Sequence, residues 1–496
     1  MKMTWSRAPL GMGRRRPTGG SARRGVMVVV AAGAAVMCAG MLTGAGLAPA
    51  GAARAGVHGV RWGTAQEVPG IAKLSKGGSA SVTSVSCWAV NDCAASGYYG
   101  STSRIASPGH AFVVAERNGR WAKAEEVPGL AALNTGGYAV VASVSCAPGG
   151  YCVAGGYYTD RDGNSQAFVV TAVKGRWRAA VEVPGTAALD AGGGFAQVTS
   201  VSCPSAGSCA AGGYYKNSRR QRRAFVVSQK KGRWHAARRV PVPVAGIGGD
   251  GFGSLSCWSA GNCAAGGGFS TRGGVGAWVV SERNGVWGKW EQVPGLAALN
   301  TGHSSFVNSV SCTRRGYCAL GGFYQLPATG PDSPAYDSPF VASGRYGRWR
   351  AAVAWPASPV LNGSLGPDEG DVVAVSCPSP RNCTAAGPGG QASFVASQKN
   401  GVWGTPRAQA GASSLSCPSA GNCGSGEGNL VAGERNGRWA KAEELPGLAA
   451  LGRIGGGIAS IVSVSCASAG HCTAVGFYGY HGAASTSDQG FVTGPK

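Results

Sequence analysis

Charge is scarce in this chain. Asp, Glu, Lys and Arg make up 14% of its 496 residues, with 22 acidic against 45 basic. Histidine is scarcer: His58, His110, His235, His303, His471 and His481 stand apart from one another. Their isolation leaves no Ser-His-Asp set to propose and no histidine partners for a zinc site. Several of the few carboxylates recur at one place, Glu126, Glu182, Glu291 and Glu444, close before Val-Pro-Gly or Leu-Pro-Gly. A repeated carboxylate reads as structural, because glycoside cleavage needs one opposed pair per site. The non-repeated ones are Asp160, Asp162, Asp332, Asp337, Asp368, Glu369 and Asp371. Three of them cluster in "GPDEGDVV", a calcium-binding loop or a polar turn. No catalytic residue, metal site or cofactor is assigned. Beyond residue 48 no apolar stretch is long enough to cross a bilayer.

What is present begins with an export signal over residues 1–50. Arg14, Arg15, Arg16, Arg23 and Arg24 give a positive start, Met27 to Ala48 is almost wholly apolar, and Ala48-Pro49-Ala50 is a small-residue cleavage pattern. Cys38 after Met37 is a poor lipoprotein box. The rival reading is an uncleaved anchor. Removing residues 1–50 leaves 38 basic against 22 acidic residues, a net +16, which favours polyanions or plain solubility and says nothing of fold. Residues 51–57 read as a short linker.

Sixteen cysteines remain after Cys38, in eight pairs: Cys87/Cys93, Cys146/Cys152, Cys203/Cys209, Cys257/Cys263, Cys312/Cys318, Cys377/Cys383, Cys417/Cys423 and Cys466/Cys472. Fixed spacing and an even count in an exported chain predict eight local disulfides, stapling Gly-rich hairpins across a tight loop; reduced, half-buried thiols are the alternative. First cysteines follow one another at 59, 57, 54, 55, 65, 40 and 49 residues, a period of propellers or solenoids. Each unit holds four strand-like runs; in the second these are 141–146, 152–157, 167–171 and 176–183. The third and fourth runs meet at Asn118-Gly119, Asn284-Gly285, Asn400-Gly401 and Asn436-Gly437, the hairpin dipeptide suited to a turn with positive φ at both positions.

Four antiparallel strands make one propeller blade. The first motif, "RWGTAQEVPG" from Arg61, is a fourth run, and the last, "GFVTG" from Gly490, is a third run. The N-terminal strand is thus expected to complete the last blade. Fourth-run tryptophans Trp62, Trp121, Trp177, Trp234, Trp287, Trp349, Trp403 and Trp439 match the eight pairs and are expected in blade cores. The fold expected over 58–496 is an all-β, eight-bladed propeller of repeats of about 54 residues, closed by the N-terminal strand, with one disulfide per blade.

The phrase "SVSCPSAGSCAAGG" from Ser200 resembles the first hairpin of bacterial-neuraminidase-repeat and photosystem-assembly-factor propellers. The full unit, with "EEVPGLAALNTGG" from Glu125, resembles secreted actinobacterial repeat proteins that mostly carry no assigned activity. The resemblance spans about 58–496 and implies a propeller. "SERNGVW" from Ser281 has the flavour of a sialidase Asp-box but places Arg283 at its Asp and is one residue short, so no sialidase residue carries over.

Ligand candidates fall where loops vary. Second runs end in aromatic pairs, one member packed and the other freer; the freer candidates are Tyr98, Tyr158, Tyr215, Tyr324 and Tyr478, as a platform for sugar rings or an extended peptide. Packing between blades is the plainer reading. Arg219, Arg220, Arg222 and Arg223 form the longest cationic run, either a solvated loop or a contact for anionic polymer. The sequence thus suggests a secreted, monomeric, non-catalytic scaffold, extracellular or wall-associated, for cell-wall polysaccharide, anionic polymer or a protein. It shows no base-reading module for specific nucleic acid, and no membrane contact is expected after signal cleavage. A divergent glycan-cleaving, sialidase-like propeller is the alternative.

Overall fold

The computed structural model describes residues 60–76, 78–100, 109–242, 250–271, 273–327, 335–355, 358–363, 369–453, 458–482 and 485–494. The chain divides into Met1–Ala48 and Pro49–Lys496. The expected export signal and the 51–57 linker lie outside the described residues.

The first strands are β1 (Arg61–Trp62) and β2 (Ala65–Glu67), followed by a short helix α1 (Ile71–Ser75). Blade 1 then forms from β3 (Ala80–Ala89), β4 (Asp92–Gly100), β5 (Gly109–Arg117), β6 (Arg120–Trp121) and β7 (Glu125–Glu126). Strands β3, β4 and β5 run antiparallel, with Cys87 opposite Cys93. At Asn118-Gly119 both residues have positive φ, 48° and 76°, as the hairpin dipeptide predicts. The outer strand breaks in the middle: Trp121 pairs with Glu116 and Glu126 with Phe112, both on β5. The expected continuous fourth run is therefore two short pieces. Between them Ala124 N–H leaves the blade and donates to Pro69 O, 2.7 Å away.

The same sheet recurs to make eight blades, four-stranded if the two outer pieces count as one strand. All eight cysteine pairs are disulfide-bonded as expected, each within its own hairpin. The alternative of reduced, half-buried thiols is thereby set aside. These bonds staple the hairpins across a tight loop as expected, and they are also buried: Cys93, Cys152, Cys209, Cys263, Cys318, Cys383 and Cys423 are at 3% exposure or less. The reason is strand alternation, which turns each second-strand cysteine toward a neighbouring blade. Cys152 of blade 2 packs in one cluster with Ala94 of blade 1. A Cβ on Gly424 of blade 7 would collide with the sulfurs of Cys466 and Cys472 of blade 8. The disulfides are thus part of the packing between blades.

Each blade centres on one apolar third-strand side chain. Phe112, Phe168, Phe225, Trp278, Phe340, Phe394 and Phe491 occupy this place in seven blades and are fully buried, whereas blade 7 has the half-buried Leu430 there. Opposite each of the seven aromatics stands a second-strand glycine, as Gly97 faces Phe112 and Gly213 faces Phe225, while Leu430 faces Glu427. A Cβ on Gly97 would collide with the Ser81 carbonyl oxygen and the Phe112 ring. The repeated glycine thus makes room for the aromatic core.

First strands pack side by side in order from blade 1 to blade 8 and back to blade 1, which closes the ring. The serine before each first cysteine fastens neighbours. Its Oγ accepts the N–H of the next blade's first cysteine in all eight junctions, from Ser86–Cys146 at 3.0 Å to Ser465–Cys87 at 2.9 Å. A second contact runs at the outside: Ala65, Ala124, Ala180, Ala237 and Ala352 donate N–H to Pro446, Pro69, Pro128, Pro184 and Pro294 of the preceding blade, each at 2.7 Å.

Closure occurs as expected, with one difference. Strand β2 supplies the outer edge of blade 8, pairing Ala65 with Thr493 and Glu67 with Phe491. Strand β1, however, pairs in parallel with the second strand of that blade, Arg61 opposite His471 and Trp62 opposite Cys472. The third strand ends at Thr493, and β1 occupies the place its hairpin fills elsewhere. Trp62 is consequently 2% exposed, while Trp177, Trp234, Trp287, Trp349, Trp403 and Trp439 are half-buried where blades meet. Trp121 Nε1 donates to Thr493 O at 3.0 Å and ties blade 1 to the seam.

Candidate functional site

The second strand delivers its terminal aromatic pair beside the loop to the third strand. In four of the five pairs the structure reverses the expected orientation. Tyr158, Tyr215, Tyr324 and Tyr478 are 3%, 3%, 5% and 7% exposed. The repeated carboxylate of the outer strand explains why: Tyr158 donates to Glu182 Oε2 at 3.1 Å, and Tyr478 to Glu67 Oε2 at 2.8 Å. Tyr99 likewise donates to Glu126 at 3.3 Å. Glu126 also meets His110 Nδ1 at 3.2 Å. These glutamates hold the buried tyrosines, as their recurrence suggests. The preceding residues, Tyr98, Tyr157, Tyr214, Phe323 and Phe477, are the half-buried members. Of the five candidates, Tyr98 alone holds that place.

Those preceding residues meet aromatics from the start of the first strand. Tyr138 lies 6.0 Å from Tyr157, Phe195 stacks on Tyr214 at 5.5 Å and Phe306 on Phe323 at 6.5 Å. Burial raises the phenols of Tyr98, Tyr157 and Tyr214, and hydroxyl proximity adds to it: Tyr138 acts on Tyr98 and Tyr157, and Tyr98 and Tyr214 act on Tyr157. Tyr98, Tyr138, Tyr157, Tyr214 and Phe195 therefore form one ridge across blades 1, 2 and 3. The sequence points to Tyr98 but not to the first-strand partners; Tyr138 and Phe195, at matching distances before "SVSC", are the signal it offers for them.

Cations cap the ridge. The Arg222 guanidinium sits 4.6 Å over Tyr214, and Lys216 Nζ 4.8 Å over Phe195, within range of cation–π attraction. The basic run is split by the fold. Arg219 and Arg220 are exposed on the loop, whereas Arg222 and Arg223 begin the strand Arg222–Lys230. Arg223 is 7% exposed and donates to Gln221 Oε1 at 2.7 Å. The expectation that all four lie on a solvated loop is thus corrected, since alternation turns Arg223 inward.

The non-repeated carboxylates are engaged locally. Asp160 Oδ1 accepts the N–H groups of Asp162 and Asn164, and its Oδ2 accepts Gln166. Both oxygens of Asp371 accept from Asn308 Nδ2, at 2.7 and 2.8 Å. Asp332 and Asp368 lie outside the described residues. Among the described residues no group of three or more His, Cys, Asp or Glu is placed to hold a metal ion, and no helix is long and apolar enough to cross a membrane.

No protein-family profile matches the chain, and no curated protein matches it. Several solved structures are similar to it at low identity. Chaetomium thermophilum Sqt1 bound to the N-terminus of ribosomal protein L10 has 12% identity and a TM-score of 0.37, covering 66% of this chain and 79% of that one. A subtype N11 neuraminidase-like protein of a flat-faced bat influenza A virus has 9% identity and a TM-score of 0.35, covering 88% and 94%. A Mycobacterium tuberculosis puromycin-hydrolyzing peptidase has 13% identity and a TM-score of 0.41, covering 85% and 61%. Likeness at this level says nothing of what this chain binds.

Proposed function

We propose that the chain is an exported, non-catalytic propeller that binds an extended ligand, cell-wall glycan or another anionic polymer, along the aromatic ridge of blades 1 to 3. The observation that carries this reading is the pairing of Tyr138 with Tyr157 and of Phe195 with Tyr214, capped by Arg222 and Lys216. Ring faces suit stacking on sugar rings, and the flanking cations suit carboxylate or phosphate groups along such a polymer. Eight disulfides and a basic mature chain agree with an extracellular setting. Glycan cleavage draws less support, because Asp160 and Asp371 are held by structural partners.

The test is retention of the mature protein on purified cell walls across a salt series. Tyr157→Ala and Tyr214→Ala are expected to weaken retention at every salt concentration. Arg219→Ser with Arg220→Ser is expected to flatten the salt dependence, since fewer counterions are released. A parent protein that is not retained, or variants that behave as the parent does, would remove the ridge as the binding surface.

A further inference from the structure

The ring's seam carries a second feature, at the end of the strands opposite the aromatic ridge. In blades 1 to 7 the third strand turns back into an Arg-Trp or Val-Trp piece that pairs with it. In blade 8 the third strand ends at Thr493, and β1 lies against the second strand instead. This substitution leaves a cleft of about 300 Å³ where blades 7, 8 and 1 meet, lined by Arg61, Glu116, Arg435, His471 and the cysteine turns of blades 1 and 8. Its volume is at the lower end for small-molecule sites, roughly 300–1,000 Å³.

Glu116 is 2% exposed, yet it lines this cleft, and its Oε2 has no hydrogen-bond partner among the described residues. A buried carboxylate oxygen without a donor carries a desolvation penalty that an N–H donor would relieve. Arg61, which also lines the cleft, is exposed. Glu282 in blade 4 provides an internal comparison. It occupies the same repeat position, is 0% exposed and also has an unmet Oε2, but it does not border the cleft.

We propose that the seam cleft binds a small zwitterion, a free amino acid or short peptide, with its ammonium group on Glu116 and its carboxylate on Arg61. The charge arrangement selects this class. A simple anion meets the buried carboxylate of Glu116, and a simple cation meets the guanidinium group of Arg61. A molecule with both charges satisfies both through charge-assisted hydrogen bonds. A bound metal ion is disfavoured, because Glu116 belongs to no metal-ligating cluster among the described residues.

Isothermal titration of the mature protein with glycine, glycylglycine, triglycine and L-lysine at millimolar concentration tests this. At least one is expected to bind at one site per chain. For that compound, acetylating the amine or amidating the carboxylate should each weaken binding about tenfold or more, equivalent to about 1.4 kcal/mol. Glu116→Gln should weaken it likewise, while Glu282→Gln leaves it unchanged. Should Glu116→Gln fail to fold, the surface change Arg61→Gln is decisive, because it is expected to weaken binding without touching the core. No binding by any of the four compounds, equal binding of the blocked forms, or unchanged binding by both Glu116→Gln and Arg61→Gln would overturn the proposal.

Discussion

Ser465 Oγ accepts the backbone N–H of Cys87 at 2.9 Å, across 378 positions of sequence. Seven equivalent bonds precede it around the ring, so the last junction is made as the others are. The neighbouring pair, Ser463 Oγ and Val85 N–H at 3.3 Å, repeats the theme. Ser465→Ala is expected to leave the Cys87 N–H unmet and to lower stability by about 1–2 kcal/mol, read as a shifted midpoint in urea unfolding. An unchanged midpoint would mean that the serines are incidental to closure.

Asp190 is a defect in the repeat. Its place in "TAALD" is held by Asn134 and Asn300 in other units. Asn134 accepts the Thr159 N–H at 3.3 Å and donates to Gly109 O at 3.4 Å. Asp190 is 5% exposed, and its Oδ2 has no partner among the described residues. Burial, with the charge of Glu182 next, pushes its carboxyl up to about 6. The folded state therefore holds the proton more tightly than the unfolded chain does, a stabilisation present at low pH and lost as pH rises through about 6. Asp190→Asn is expected to raise stability by about 1–3 kcal/mol at pH near 7.5 and to change little near pH 4. Equal effects at both pH values would contradict this account of the site.

Three further buried carboxyls titrate in the same direction. Burial pushes Glu116 and Asp371 up to about 7 and Glu434 up to about 6. Each favours folding while protonated, and that contribution fades as pH rises from the ordinary carboxylate range through these values. Unfolding midpoints in guanidinium should rise as pH is lowered from about 8 to about 5.5. Midpoints that fall over that range would show that opposing titrations dominate.

Peptide mapping without reduction should return eight links, each within one hairpin. Replacing Cys417 and Cys423 together with Ala is expected to destabilise by about 2 kcal/mol, from the entropy of so short a loop. Links between hairpins would contradict the observed pairing.

Much of the fold is legible because it is written eight times. The cysteine spacing marks the hairpins, Asn-Gly marks the tight turns, and the run order at the two ends announces closure. Other features are visible as letters without a meaning attached. The serines of "SVSC" read as part of a strand, because nothing in one repeat says that an Oγ will serve the next blade. The burial of Cys152 and its counterparts is hidden for the same reason, since their packing partners belong to another repeat. The paired glycines read as weak points, whereas Gly97 and its counterparts make room for Phe112 and its counterparts. Short helices after Val-Pro-Gly, such as Leu130–Leu133, also escape, since four residues give no periodicity. The candidate site is half legible: alternation promises one packed and one freer aromatic per pair, but the choice depends on where Glu67, Glu126 and Glu182 lie. The seam cleft cannot be foreseen, because it arises where two chain ends meet imperfectly.

The account rests on a ring closed by its own N-terminal strand. Gly63 lies so close to Gly494 that a Cβ there would meet its carbonyl oxygen, and Gly494 N–H donates to Thr64 O at 3.0 Å. Limited proteolysis of the chain 51–496 lacking residues 58–70, with cleavage sites mapped by mass spectrometry, tests this directly. Loss of β1 and β2 should open blade 8, lower the unfolding temperature and concentrate cleavage after about Ile461. A truncated chain that resists protease and heat as the parent does would show that the two ends do not hold the ring.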